Sequence, residues 1–136
     1  MIEFLNETPL EKPLIFDTHA HYDDERFDEI RKELLSSFEK NGVGAAITCG
    51  CDKKSSLKAL EMAEKYDNVY AAVGIHPCNI DSGTTIEQIE ELASNKKCVA
   101  IGEIGLDYYW VQDNKEEQKR IFTEQVILAN ELDLPV

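Results

Sequence analysis

Apolar positions along the chain fall into short runs that alternate with helical stripes. Leu14-Ile15-Phe16 is a brief apolar run followed at once by polar residues. Phe27, Ile30, Leu34, Leu35 and Phe38 then recur at steps of 3, 4, 1 and 3, a spacing that gathers side chains on one helix face. Asp23 or Asp24 can cap the start of that helix, and Asn41-Gly42 can end it. Val43 to Thr48 reads as a second strand, and a helix follows from about Lys53 to Tyr66 with Leu57, Leu60 and Ala63 inward. Val69 to Val73 is the third strand. Thr85 and Gln88 have capping-box spacing and open a short helix with Ile86, Ile89 and Leu92 inward. Cys98 to Ile101 is the fourth strand. A helix from about Lys115 to Leu132 shows a wide apolar face of Ile121, Phe122, Val126, Leu128 and Ala129, and Leu134-Pro135-Val136 reads as the start of a fifth strand.

Strands alternating with helices imply βαβ units and a parallel sheet. The strand candidates are apolar throughout, as expected where both faces are covered. Residues 1–13 are expected to be an irregular lead-in and 14–136 the folded part. Two architectures fit this pattern. One is the first half of a (β/α)8 barrel, with about four βα units and the start of strand five. The other is an open parallel α/β sheet, and periodicity does not separate them.

The length of 136 residues suits one ordinary domain. It is about half of a (β/α)8 barrel, which typically takes about 250 residues. With 43% apolar and 30% charged residues, collagen-like, low-complexity and disordered readings are excluded. No apolar run approaches the roughly 20 residues that span a bilayer. The first residues lack the basic and apolar regions of a signal peptide, so a cytoplasmic protein without a membrane partner is expected. A net charge of −13 repels a phosphate backbone and argues against a passive nucleic-acid clamp. The four cysteines, Cys49, Cys51, Cys78 and Cys98, contain no C-x-x-C pair, and reduced thiols are expected. The C-x-C of Cys49 and Cys51 leaves a metal or a strained disulfide as alternatives.

Polar residues cluster where strands end. Asp17-Thr18-His19-Ala20-His21 follows strand one, His76-Pro77 follows strand three, and Glu103 follows strand four. In barrels and open sheets alike, sites form at the carboxyl ends of parallel strands. If strand one runs through them, His19 and His21 point the same way, and Asp17 shares their face. Two neutral imidazoles with a nearby carboxylate suit a divalent cation. Asp17 could join that site or orient a ligating histidine from behind. A chance His-x-His in a loop is the alternative. Glu103 ends a buried strand, where a carboxylate is costly unless paired or metal-bound; a salt bridge or helix cap would also account for it. His76 could contact a substrate phosphate, shuttle a proton, or fix the turn before Pro77. Asp107-Tyr108-Tyr109-Trp110 could stack nucleobases, line a pocket, or pack on the rim. No G-x-G-x-x-G follows strand one, which counts against an open-sheet dinucleotide module.

Taken together, FDTHAH (16–21), VGIHP (73–77), AIGEIGLDYYW (100–110) and QKRIFTEQVILANELDLPV (118–136) resemble the TatD family of metal-dependent hydrolases. The resemblance runs in register over about residues 14–136. It implies the first half of a TIM barrel, with one or two divalent cations (Mg, Mn or Zn) hydrolysing phosphodiesters, classically DNA, by metal-activated water. It matches His19, His21 and Glu103 to metal ligands, and His76 to a position near the substrate phosphate. Asp107 matches a position supporting the site, and Tyr108 and Tyr109 are assigned to substrate. Family members continue past the LPV stretch into further histidines and a late aspartate, and the three histidines here are 19, 21 and 76. A half-barrel that needs a C-terminal half, a partner or self-association is therefore expected, with little activity of its own. A related hydrolase of another ester or amide is the other alternative.

Overall fold

A computed structural model describes residues 14–136; the lead-in expected over 1–13 lies outside the described residues. Four parallel strands form one sheet in sequence order: β1 Ile15–Ala20, β2 Val43–Cys49, β3 Val69–Val73 and β4 Cys98–Ile101. Four α-helices accompany them: α1 Arg31–Ser36, α2 Lys53–Lys65, α3 Ile86–Ala93 and α4 Lys115–Glu131. The sheet is unclosed. Among the described residues no helix is long and apolar enough to cross a membrane.

The core lies between the sheet and its helices. Ala46, Val69, Ala71, Val73 and Ile101 from the strands meet Leu35, Leu60, Ala63, Ile89 and Leu128 from the helices. Small residues on the strands let the helices approach closely. The other face is less enclosed, with Ile47, Tyr70, Val99 and Ala100 only part-buried. β1 departs furthest from the expectation of two covered faces: Ile15 and Phe16 are 61% and 54% exposed. β1 pairs only with β2 among the described strands.

Local signals set the helix ends. The capping box of Thr85 and Gln88 forms as the spacing predicts. A second box, Asp52 with Ser55, starts α2. The first helix is shorter than its stripe. Asp24 accepts from the Arg26 backbone and closes a 3-10 turn at Glu25–Phe27, and a second 3-10 turn occupies Glu39–Asn41. Between them α1 has six residues. Gly42, at φ 80°, ends this stretch in the left-handed region that favours glycine.

Two inward faces are rotated from the sequence reading. Leu57 is 40% exposed, while Leu60 and Ala63 are buried as expected. On α4, Ile121, Leu128 and Ala129 are buried, but Val126 faces out and Gln118 and Gln125 take core positions. The expected fifth strand appears as one hydrogen bond: the Ile101 N–H donates to Pro135 O at 2.9 Å, along the free edge of β4. The four cysteines are free thiols.

Candidate metal centre

Backbone bonds lace the loops at the strand ends before any side chain is placed. The Glu103 N–H donates to Gly50 O at 2.7 Å, Gly102 N–H to Val73 O at 2.9 Å, and His76 N–H to Cys51 O at 2.9 Å. Two glycines make this lacing feasible. A methyl at Gly74 would sit 2.8 Å from the Gly102 carbonyl carbon, and one at Gly50 would overlap Ser56.

β1 runs through His19, and His21 follows its end. Both Nε2 atoms lie 3.2 Å from the same oxygen, Glu103 Oε2, and the two rings meet edge to face at 5.3 Å. His21 Nδ1 lies 3.0 Å from Cys49 O. A carbonyl only accepts, so Nδ1 carries the hydrogen, and in the neutral ring Nε2 presents its lone pair to Glu103. A lone pair facing a carboxylate oxygen at that distance is repulsive unless a proton or a cation lies between them. Two donors bound at about 2.1 Å to one cation lie roughly 3.0–3.4 Å apart. The donor atoms of His19, His21 and Glu103 all lie within 4.8 Å of one another. These residues therefore fit a divalent cation by donor type, spacing and tautomer.

His76 has the opposite arrangement. Its Nδ1 accepts from the Cys78 N–H at 3.1 Å, which leaves the hydrogen of the neutral ring on Nε2, 3.6 Å from Glu103 Oε1. It thus presents an N–H to the site where His21 presents a lone pair. Asp17 touches neither imidazole. Its carboxylate accepts from the His19 backbone N–H at 3.2 Å and the Tyr22 hydroxyl at 3.3 Å, so it fixes the strand beneath His19. Burial, and then that carboxylate, push the Tyr22 hydroxyl pKa up.

Asp107 lies beyond this cluster. Its Oδ1 accepts from the N–H groups of Tyr109 and Trp110, and Cys78 Sγ lies 3.5 Å from Oδ2. These bonds, the Trp110 N–H foremost, hold its carboxyl below the usual range. Tyr108, Tyr109 and Trp110 are 37%, 76% and 75% exposed. The cluster is therefore His19, His21, Glu103 and His76, with Asp107 and the aromatics on the adjoining loop.

Cys51, noted above for its C-x-C spacing, reaches this rim, and three further residues there escape motif reading. Cys51 Sγ reaches Glu103 Oε2 at 3.9 Å, and burial followed by the Glu103 charge pushes that thiol up to about 12. Tyr22 supports Asp17, as described. The other two are glutamines of α4. Gln125 accepts from the Ile75 N–H at 2.7 Å and donates to Ile75 O at 3.0 Å, beside His76. Gln118 accepts from the Asp107 N–H at 2.8 Å and donates to the carbonyls of Asp107 and Val111. The available signal was position: residues 118, 121, 125 and 128 share one helix face. An open cavity of about 490 Å3 on the less enclosed sheet face reaches the cluster at His19 and Glu103. A groove of about 540 Å3 between α3 and α4 touches none of the sequence-predicted site residues.

Comparison with known proteins gives this geometry a context. The family model described as TatD related DNase matches residues 16–136. A Bacillus subtilis protein named uncharacterized metal-dependent hydrolase YabD is 39% identical over 125 residues, covering 90% of this chain and 49% of that protein. The Escherichia coli 3'-5' ssDNA/RNA exonuclease TatD is 31% identical over 124 residues, covering 90% and 48%. Among solved structures, the TatD homolog YjjV of Escherichia coli superposes with a TM-score of 0.80 at 34% identity, covering 90% of this chain and 49% of that one. A TatD family hydrolase of Entamoeba histolytica gives 0.77 at 26% identity. The chain spans about half the length of the curated relatives it matches. Its unclosed parallel sheet has the fold of the first half of a TIM barrel.

Proposed function

The chain belongs to the TatD related DNase family, and from that premise we propose that it supplies the first half of a metal-dependent nuclease site. His19, His21 and Glu103 hold one or two divalent cations, of Mg, Mn or Zn type. The substrate is DNA or another phosphodiester, and relatives named as single-strand exonucleases support that class. A bound cation supplies an acidified water and neutralises charge on the phosphoryl oxygens. It also reconciles the net charge of −13 with a polyanionic substrate.

The residues divide the remaining work. His21, fixed by Cys49 O, offers only its Nε2 lone pair. His76 offers its Nε2–H, a hydrogen-bond donor for a phosphoryl oxygen. Asp17 steadies the backbone of His19. Asp107 holds the loop that carries Tyr108 and Tyr109, which contact substrate beyond the reacting phosphate. A set of three clustered donors among the described residues, in a chain that spans about half the length of its relatives, supports a second inference. Further donors come from a second half or a partner, and the 136 residues alone hydrolyse little.

The carrying observation is one carboxylate oxygen 3.2 Å from two imidazole nitrogens. Calorimetric titration with Mn2+ and Zn2+ tests it. Saturable binding in the parent, lost in both Glu103→Gln and His19→Ala, supports the assignment; stoichiometric cation retained by both variants sinks it. A robust cation-dependent nuclease rate from the purified chain alone would overturn the half-site inference.

A further inference from the structure

The loop after β4 carries three consecutive aromatics, and the structure treats them differently. The Lys115 ammonium lies over the Tyr108 ring at 5.1 Å, and Tyr108 is the most covered of the three. Tyr109 and Trp110 stand out from the surface. Their rings meet at 4.7 Å with planes at 89°, and at 76% and 75% exposure an outer ring face is left open.

Large aromatics exposed on a loose loop would carry little meaning. This loop is anchored. Asp107 Oδ1 accepts from both the Tyr109 and Trp110 N–H groups at 3.0 Å. Gln118, 1% exposed, bonds to the backbone at Asp107 and Val111 and to Asn114 Oδ1 at 2.9 Å. The loop backbone beneath the pair is therefore held by a buried amide and by a carboxylate. Ordering costs less at binding when the backbone is already fixed.

Charge decides what such a platform can take. Residues 103–114 contain no Lys or Arg, and the next cation along the chain, Lys115, lies over the Tyr108 ring. A phosphate finds no Lys or Arg partner on this loop, whereas the face of a base finds one open aromatic ring, with the second ring set against its edge. The loop adjoins the cluster through Asp107, whose Oδ2 lies 3.5 Å from Cys78 Sγ in the turn after His76.

We propose that Tyr109 and Trp110 form a stacking platform for an unpaired nucleobase flanking the phosphodiester held at the rim. This rests on the phosphodiesterase reading above and deepens it: the base that stacks there lies outside any duplex, because a base stacked within a duplex has no free face to offer. Recognition there is by ring stacking, so it tolerates any base.

Trp110 is the single tryptophan, so its emission reports the platform directly. The protein is titrated in EDTA with oligothymidylate (dT)8 and with an abasic octamer of the same backbone. Expected are quenching by (dT)8 and binding roughly 5- to 100-fold weaker for the abasic strand. Anisotropy of fluorescein-labelled (dT)8 should show a similar loss in Trp110→Ala, while Trp110→Phe keeps most of the binding. Circular dichroism checks that both variants fold. Several results would overturn the proposal: unquenched emission while (dT)8 is bound, equal binding of the abasic strand, no (dT)8 binding at all, or Trp110 shielded from acrylamide by another protein segment. Because hydrolysis and cations are absent from these measurements, they separate the two readings. Unquenched emission with intact cation uptake removes the platform alone, whereas lost cation uptake with quenching retained removes the metal assignment alone.

Discussion

On the helix-covered face of the sheet, Val73, Ile89 and Ile101 are sealed from solvent, and the two buried glutamines bond to backbone on every side. Among the described residues no buried side-chain nitrogen or oxygen lacks a partner. At the carboxyl rim, His21 turns a lone pair toward Glu103, and His76 turns an N–H toward the same carboxylate. The first region is satisfied by the protein alone; in the second, the lone pair of His21 faces a carboxylate oxygen at 3.2 Å with no hydrogen of its own to share. Stability resides where all groups are paired. The proposed chemistry draws on groups whose pairing the core does not complete.

The sharpest break of this contrast is a core truncation. Ile89→Ala should cost about 2–5 kcal/mol of folding stability in urea denaturation. Cation bound per folded molecule should not change; a parallel loss of cation would show the two regions to be one. The converse variant, Glu103→Gln, should leave the cation-free stability within about 0.5 kcal/mol of the parent. It should also abolish the rise in Tm that a saturating cation gives the parent by binding the folded form. A large destabilisation without cation would mean that the rim is structural after all.

Gln125 belongs to both regions, so Gln125→Leu should disturb both. It strands the N–H and carbonyl of Ile75, at about 1–3 kcal/mol for an unsatisfied group, and loosens the strand end that carries His76. An unchanged His76 side-chain NMR signal in that variant would confine Gln125 to the core.

The smallest effect concerns Asp52, the cap of α2. Partial burial raises its pKa, but hydrogen bonds from Ser55 and Asn79 and the Lys54 charge together outweigh burial, and the net shift is downward from 3.8. A depressed carboxyl stabilises the fold above its unfolded pKa, and that contribution is lost as pH falls through the folded value. Asp52→Ala should therefore cost about 0.5–2 kcal/mol at pH 7, and the gap in Tm to the parent should narrow in acid. A constant gap between pH 7 and pH 3 would contradict the cap.

Much of this was legible beforehand. Strands β2, β3 and β4 are short apolar runs between turns, and the Thr85 and Gln88 box marks its helix. His19, His21 and Glu103 stood out because each follows a strand, where a polar residue needs a reason. Leu57 was misplaced because an apolar residue one turn from Leu60 looks inward until the packing of α2 is known. Gln118 and Gln125 escaped notice because a glutamine in a helix reads as surface. The partner of Gln125 is fifty residues away, and no local pattern reports it. The tautomers of His21 and His76 were equally out of reach, since each is set by a backbone atom that only the folded chain brings near.

The two glutamines also make α4 a ruler. They are seven residues apart, so they sit about 10.5 Å apart along the axis and grip the ends of neighbouring strands. One residue inserted between them would swing one amide by about 100° and lengthen the span by about 1.5 Å. Neither loop could then keep its grip without the other losing it. Substitutions within this stretch can be absorbed one at a time, but a change in its length cannot. The segment from 118 to 125 is therefore a unit of fixed size, set by the distance between the two loops it holds.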